Sequence, residues 1–180
     1  VELDAYVAAG AKVLVIAAEQ PGGNYNVKRP EIDEAAWAVL LGNLRRIDEY
    51  AASRGILATV HPHVGTMIET ESDIDHVLEG SNIGITFDTG HMFIGGTDPV
   101  AFSKKHPDRV KHCHLKDVRL EVAKKVQSGE LNYHQAVVAG MYTAVGDGDV
   151  DIREIVTNLI KAGYDGWFCL EQDKVIDGEP

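Results

Sequence analysis

Basic residues are in short supply in this chain. Lys and Arg number 17 against 28 Asp and Glu, a formal net charge of -11, which argues against a phosphate-backbone binder because that needs a basic face. No apolar run approaches the roughly 18 residues of a membrane span. Neither nucleic acid nor a membrane is therefore an expected partner. Cysteine is limited to Cys113 and Cys169, both inside apolar strand-like runs, where buried reduced thiols are the expectation and a cytoplasmic location follows. No glycine-rich phosphate fingerprint follows a strand: Gly146-Asp147-Gly148 precedes a helix without directly following a strand, a weak dinucleotide signal. No Ser-His-Asp set and no activated cysteine stands out. The chain also lacks an initiator Met, and Val1-Glu2-Leu3-Asp4 runs straight into a helix-like segment, so it is expected to be the C-terminal portion of a longer protein.

What is there is 180 residues, 44% of them hydrophobic, enough for one globular core. Helix and strand patterns alternate. Residues 2–10 read as the tail of a helix ending at Gly10, and a strand at 13–18 follows. The Gly, Asn and Pro content of 20–30 marks a loop. Asp33 is placed to cap a helix over 34–53 whose apolar face carries Trp37, Leu40, Leu41, Leu44 and Ile47. Then come a strand at 56–61, a short helix at 71–78, a strand at 83–88, a loop through Gly95-Gly96 and a helix from Asp98-Pro99 to Lys105. A strand at 110–115 precedes a long excursion, 118–145, with two short helices near 121–128 and 133–139. Helix 151–162, capped by Asp151, and a strand at 166–171 close the series. This spacing predicts parallel strands joined by right-handed crossovers, an α/β fold in a single domain over 1–180.

Every one of the five strand-like runs ends in polar, metal-capable residues: Glu19; His61-Pro62-His63; Asp88-Thr89-Gly90-His91; His112 to Asp117; and Glu171-Gln172-Asp173. In α/β barrels reactive groups sit at the C-terminal strand ends. Strand alternation puts His112 and His114 on one face with Cys113 on the other, and Lys116 keeps the same parity. Pro62 stops the ladder, so His61 and His63 mark a strand end. Each motif alone has a plainer explanation: Asp88 as a helix cap, His91 as a loop residue, Lys116 as a solvated lysine or a salt bridge to Asp117. Together they predict a metal centre. Mixed imidazole and carboxylate ligands suit divalent Mn, Co, Fe or Zn, and such a site can polarise a carbonyl while its neighbours move protons.

The segments HPHVGTMIET (61–70), FDTGHMFIGG (87–96), HCHLKDVRLEV (112–122), NYHQAVVAGMYTAVGDGDVDI (132–152) and GYDGWFCLEQD (163–173) resemble the xylose isomerase-like TIM-barrel superfamily, and more narrowly its inosose (2-keto-myo-inositol) dehydratases. The resemblance implies a (β/α)8 barrel of which this chain holds about the last five β/α units. It implies a metal site with Asp88, His114 and Glu171 as ligands. The fourth ligand is usually a Glu six residues after a glycine, and counting from Gly55 lands on His61. That departure also occurs in the dehydratase branch, and it removes one of the two carboxylates that family epimerases use as an acid/base pair. The implied reaction is loss of water from 2-keto-myo-inositol in inositol catabolism, with Mn(II) or Co(II) bound. Glu171 or His63 would take the α-proton, and His91, His112 or Lys116 would protonate the departing hydroxyl. Glu19, His63, Lys116 and Arg119 would contact the substrate. A homo-oligomer is an assembly the resemblance allows. The alternative on the same scaffold is a keto-sugar isomerase or epimerase. An apurinic endonuclease of the superfamily is disfavoured by the acidic charge, and a degenerate, non-catalytic segment is the remaining reading.

Overall fold

In the computed structural model, which describes residues 3–173, five strands form one parallel sheet. They are β1 (Val13–Ile16), β2 (Leu57–Val60), β3 (Gly84–Asp88), β4 (Val110–Leu115) and β7 (Phe168–Leu170), hydrogen-bonded in that order. Each expected strand is present. A parallel neighbour requires a crossover, and helices supply it: α2 (Glu34–Ser53), α3 (Glu71–Gly80), α5 (Pro99–Lys105) and α8 (Ile152–Lys161). Asp33 caps α2 through the Ala36 amide, Asp98 caps α5 through Val100 and Ala101, and Asp151 caps α8 through Glu154. The helix expected at the start is α1 (Asp4–Ala8); Glu2 lies outside the described residues.

Register sorts the strand residues onto two faces. Leu14, Ala58, Val60, Phe87 and Cys113 are buried on the outer face. They join Trp37 and Leu44 of α2, Ile74 and Val77 of α3, Phe102 of α5, and Ile155 and Leu159 of α8 in one core. The inner face is polar toward its C-terminal end. Thr59 and Thr86 share a 2.7 Å hydroxyl hydrogen bond there, and Thr59 also donates to the Leu14 carbonyl. Val15 and Leu57, also on this face, are 36% and 41% exposed, whereas in a closed barrel layers of side chains fill the interior. The sheet is thus part of a barrel wall, with Trp167 (78%) and Leu170 (72%) exposed at its other edge.

Two local features differ from the sequence expectation. The loop expected after β3 begins instead with a helical turn, α4 (Thr89–Ile94), because Asp88 accepts the amides of Gly90 and His91 and nucleates it. The 118–145 excursion holds its two helices, α6 (Leu120–Gln127) and α7 (Tyr133–Val138), and also an antiparallel ribbon of β5 (Asp117–Val118) and β6 (Tyr142–Thr143). The same Asp117 explains the glycine-acid turn. Its carboxylate accepts amides from Val118, Gly146, Gly148 and Val150 at 2.9–3.1 Å. A Cβ at Gly148 would lie 2.2 Å from the Asp117 Oδ1. The turn is a receptacle for the chain's own carboxylate, not for a phosphate.

Candidate metal centre

Asp88 sits at the C-terminal end of β3, wholly buried. Its Oδ1 accepts from Gly90 N (2.9 Å) and His91 N (2.8 Å), so the role of helix cap is real. Fixing Oδ1 also fixes Oδ2, which points at His61 Nε2 (3.4 Å), His114 Nδ1 (3.6 Å) and Lys116 Nζ (3.5 Å). Asp88 Oδ2, His61 Nε2 and His114 Nδ1 are all buried without a hydrogen-bond partner. A stranded buried polar atom costs about 1–3 kcal/mol, and native proteins seldom tolerate one without a reason. Here three converge, with the candidate ligand atoms of the three residues within 4.8 Å of one another. The backbone of Glu171 extends the β4–β7 ladder by donating to the Leu115 carbonyl, which brings Oε1 to 3.4 Å from His114 Nδ1. Two imidazoles and the Asp88 carboxylate around one point, with the Glu171 carboxylate beside His114, suit a divalent first-row cation.

Lys116 is buried beside this point. Its ammonium reaches Asp173 Oδ2 (3.0 Å), Glu171 Oε2 (3.1 Å) and His91 Nε2 (3.3 Å). The backbone beneath it is clamped: the Thr89 hydroxyl donates to the Lys116 carbonyl (2.7 Å) and accepts the Lys116 amide (2.9 Å). The side chain crosses Gly90, where a Cβ would meet Lys116 Cγ at 2.9 Å. Burial disfavours the ammonium, but Asp88, Asp173 and Glu171 outweigh it and raise the lysine above its ordinary value. Burial likewise works against a charge on Asp88, and the imidazoles of His91, His114 and His61 with the Lys116 ammonium hold its carboxyl well below the usual range.

The His63 and His91 rings lie against each other, centroids 3.6 Å apart and planes tilted by 32°. His63 Nδ1 lies 2.8 Å from the Val64 carbonyl, which can only accept, so Nδ1 carries the proton and Nε2 a bare lone pair. Lysine only donates, so His91 Nε2 accepts from Lys116 and its proton sits on Nδ1, buried and unpartnered. Burial lowers both imidazoles, His91 well below its usual value, and keeps them neutral.

The other expected site residues are placed differently. His112 shares the inner face with His114, ring centroids 5.0 Å apart, but lies against Cys169 Sγ at 3.6 Å, one layer down the strand. Glu19 is exposed and accepts a long 3.5 Å bond from Tyr25, whose ring neighbours His63. Arg119 is also exposed, and its guanidinium donates to the Gly140 carbonyl at 2.6 Å. Lys116 pairs with Asp173 rather than Asp117, whose carboxylate is taken by backbone amides. Both cysteines are free, and burial pushes their thiols up. Sequence reasoning named Asp173 only as part of the last polar strand end, without a role, and missed Tyr133 and Tyr142 as members of the site. The last two reach it through the ribbon, for which no local pattern exists, and through α7, which was expected as a helix but with no local sign of what it packs against.

Fold and site together define a parallel α/β barrel segment with a cluster of histidines and carboxylates, a candidate cation site, at the C-terminal ends of its strands. The sequence model of the xylose isomerase-like TIM barrel family matches residues 1–179, and the chain belongs to that family. It is 37% identical over 174 residues to an inosose dehydratase of Geobacillus thermodenitrificans, covering 92% of this chain and 58% of that protein. It is 37% identical over 149 residues to the rhizopine catabolism protein MocC of Rhizobium meliloti, covering 82% of this chain and 46% of that one. The chain therefore spans about half the length of these curated relatives. Among solved structures, the IOLI protein with a binding zinc atom superposes with a TM-score of 0.67 at 13% identity, over 92% of this chain and 55% of that one. No helix among the described residues is long and apolar enough to cross a membrane.

Proposed function

We propose that the complete protein is a metal-dependent hydro-lyase that removes water from 2-keto-myo-inositol. The observation that carries this reading is the convergence of three stranded, buried ligand atoms on one point beside a bare imidazole lone pair. The likeness to a named inosose dehydratase supplies the substrate. His61, Asp88, His114 and Glu171 would hold the cation, Mn(II) or Co(II). When bound, the cation supplies Lewis acidity that polarises the ketone and makes the adjacent C–H acidic.

His63 takes that α-proton through Nε2, the lone pair its Val64 bond leaves free. Glu171 is the weaker base, because both its oxygens already face His114 and Lys116. Lys116, with its proton held by neighbouring carboxylates, is a fixed positive charge for the developing oxyanion rather than a proton donor. His91 hydrogen-bonds the departing hydroxyl through its unpartnered Nδ1–H, and the proton that completes the water is the one His63 has taken from the α-carbon. His112, a layer lower against Cys169, takes no part.

The test is incubation of the complete protein with Mn(II) or Co(II) and 2-keto-myo-inositol while following product mass. Loss of one water, abolished by chelator and by Asp88→Ala, is the expected result. Deuterium uptake into keto sugars without loss of mass would instead make the protein an isomerase or epimerase.

A further inference from the structure

Tyr133 and Tyr142 face the His63–His91 pair, and neither takes part in the proposed proton transfers. The Tyr133 ring lies 6.2 Å from that of His63 and 6.0 Å from that of His91. Its position is held from two directions. It follows the Asn132–Gln135 capping box that starts α7, and the amide of the next residue, His134, donates to Asn26 Oδ1 from the 20–30 loop at 3.0 Å. Tyr142 is 1% exposed. Its ring lies beneath the Lys116 ammonium, 5.3 Å from the centroid, and its hydroxyl is 3.0 Å from that of Tyr133.

The direction of that hydroxyl bond follows from burial. Among the described residues, the Tyr142 oxygen has no other hydrogen-bond partner. If it accepted, its own O–H would be buried with nothing to donate to. If it donates, only a lone pair is left, and a carbonyl or hydroxyl oxygen tolerates that better than an N–H or O–H does. Tyr142 therefore donates to Tyr133. Among the described residues the Tyr133 proton then has no acceptor, on a hydroxyl whose ring borders the His63–His91 pair.

We infer that Tyr133 donates this proton to a ring hydroxyl of the bound polyol-ketone, with Tyr142 as the positioning residue that orients it. Tyr133 thereby selects for a hydroxyl at one position of the substrate ring. The inference rests on the dehydratase reading for the identity of the polyol. A site built to bond a substrate hydroxyl rejects the analogue that lacks it far more strongly than an apolar pocket would.

The experiment compares wild type, Tyr133→Phe and Tyr142→Phe in the complete, metal-loaded protein. Turnover and calorimetric binding are measured for 2-keto-myo-inositol and for analogues deoxygenated at one ring position each. Tyr133→Phe is expected to raise KM about tenfold to a hundredfold, with kcat changed less. One deoxy analogue is expected to behave alike in wild type and Tyr133→Phe. Tyr142→Phe should lose less, and the double variant no more than Tyr133→Phe, because the two hydroxyls act as one unit. Equal losses on every analogue would make Tyr133 merely structural, and an unchanged KM would overturn the inference outright. Tyr142→Phe carries the same test if Tyr133→Phe does not fold. If wild type binds 2-keto-myo-inositol without releasing water, the proposed reaction falls, and the binding ratios still judge Tyr133. If it neither binds nor reacts, both fall.

Discussion

Two buried aspartates at neighbouring strand ends use the same chemistry to opposite ends. Asp117 gives both oxygens to backbone amides, Val118 and Val150 on Oδ1, Gly146 and Gly148 on Oδ2. Asp88 gives only Oδ1, to Gly90 and His91, and leaves Oδ2 without a hydrogen bond, facing two imidazoles and the Lys116 ammonium. Both are fully buried and both organise the loop that follows their strand. The saturated carboxylate is complete within the chain. The half-saturated one keeps an oxygen that a proposed cation would occupy. Burial alone therefore does not mark function; an unfilled valence on an otherwise anchored group does.

Substitution should separate the two. Asp117→Ala strands several amides at once, so the complete protein is expected to lose roughly 4 kcal/mol of unfolding free energy in urea titrations. Any metal affinity measured on the folded fraction should stay near that of wild type. Asp88→Asn reverses the pattern. Asparagine keeps a capping oxygen, and its amide N–H groups can be offered to the imidazoles, so stability without metal should change by no more than about 1 kcal/mol. Metal affinity should fall about a hundredfold or more, roughly 2.7 kcal/mol, by competition with a chromogenic chelator. Retained affinity in Asp88→Asn would erase the distinction between the two carboxylates.

Metal addition gives a second reading of the same contrast. Free Mn(II) at a hundred times its dissociation constant should stabilise wild type by about 2.7 kcal/mol, seen as a rise in thermal midpoint. Asp88→Asn should show no such rise. The smallest effect concerns Thr89, which lies next to Asp88 and clamps Lys116. Thr89→Val should cost about 1–2 kcal/mol in urea, while Thr89→Ser, which keeps the hydroxyl, should cost less than about 1 kcal/mol.

The sheet was legible in the sequence because each strand is a short apolar run with a polar end, and burial on the outer face depends on that pattern alone. Strand parity likewise placed His114 and Lys116 on the inner side, and Asp33, Asp98 and Asp151 announced their helices by local capping chemistry. What escaped was set at long range. The ribbon pairs Val118 with Tyr142 across a long excursion, so nothing near Tyr142 signals its place beneath Lys116. Helix α4 is so short that its cap, rather than any periodicity, creates it. Arg119, just past β5, donates to the Gly140 carbonyl, a contact across the same excursion that no local pattern announces.

The stretch Asp88-Thr89-Gly90-His91 can also be weighed as information. At position 88, asparagine would cap but carry no charge, and glutamate would carry charge on a stem one methylene too long for the cap. At 89 only a hydroxyl both donates to and accepts from the Lys116 backbone. At 90 any side chain collides with the lysine stem. Position 91 needs a ring nitrogen that accepts from an ammonium while lying against a second imidazole. Four successive positions each leave an alphabet of one or two letters, whereas Met92 to Ile94 in the same helix ask mainly for apolar bulk. Random drift would therefore rewrite the second half of α4 long before the first, and the boundary between the two would show where chemistry ends and packing begins.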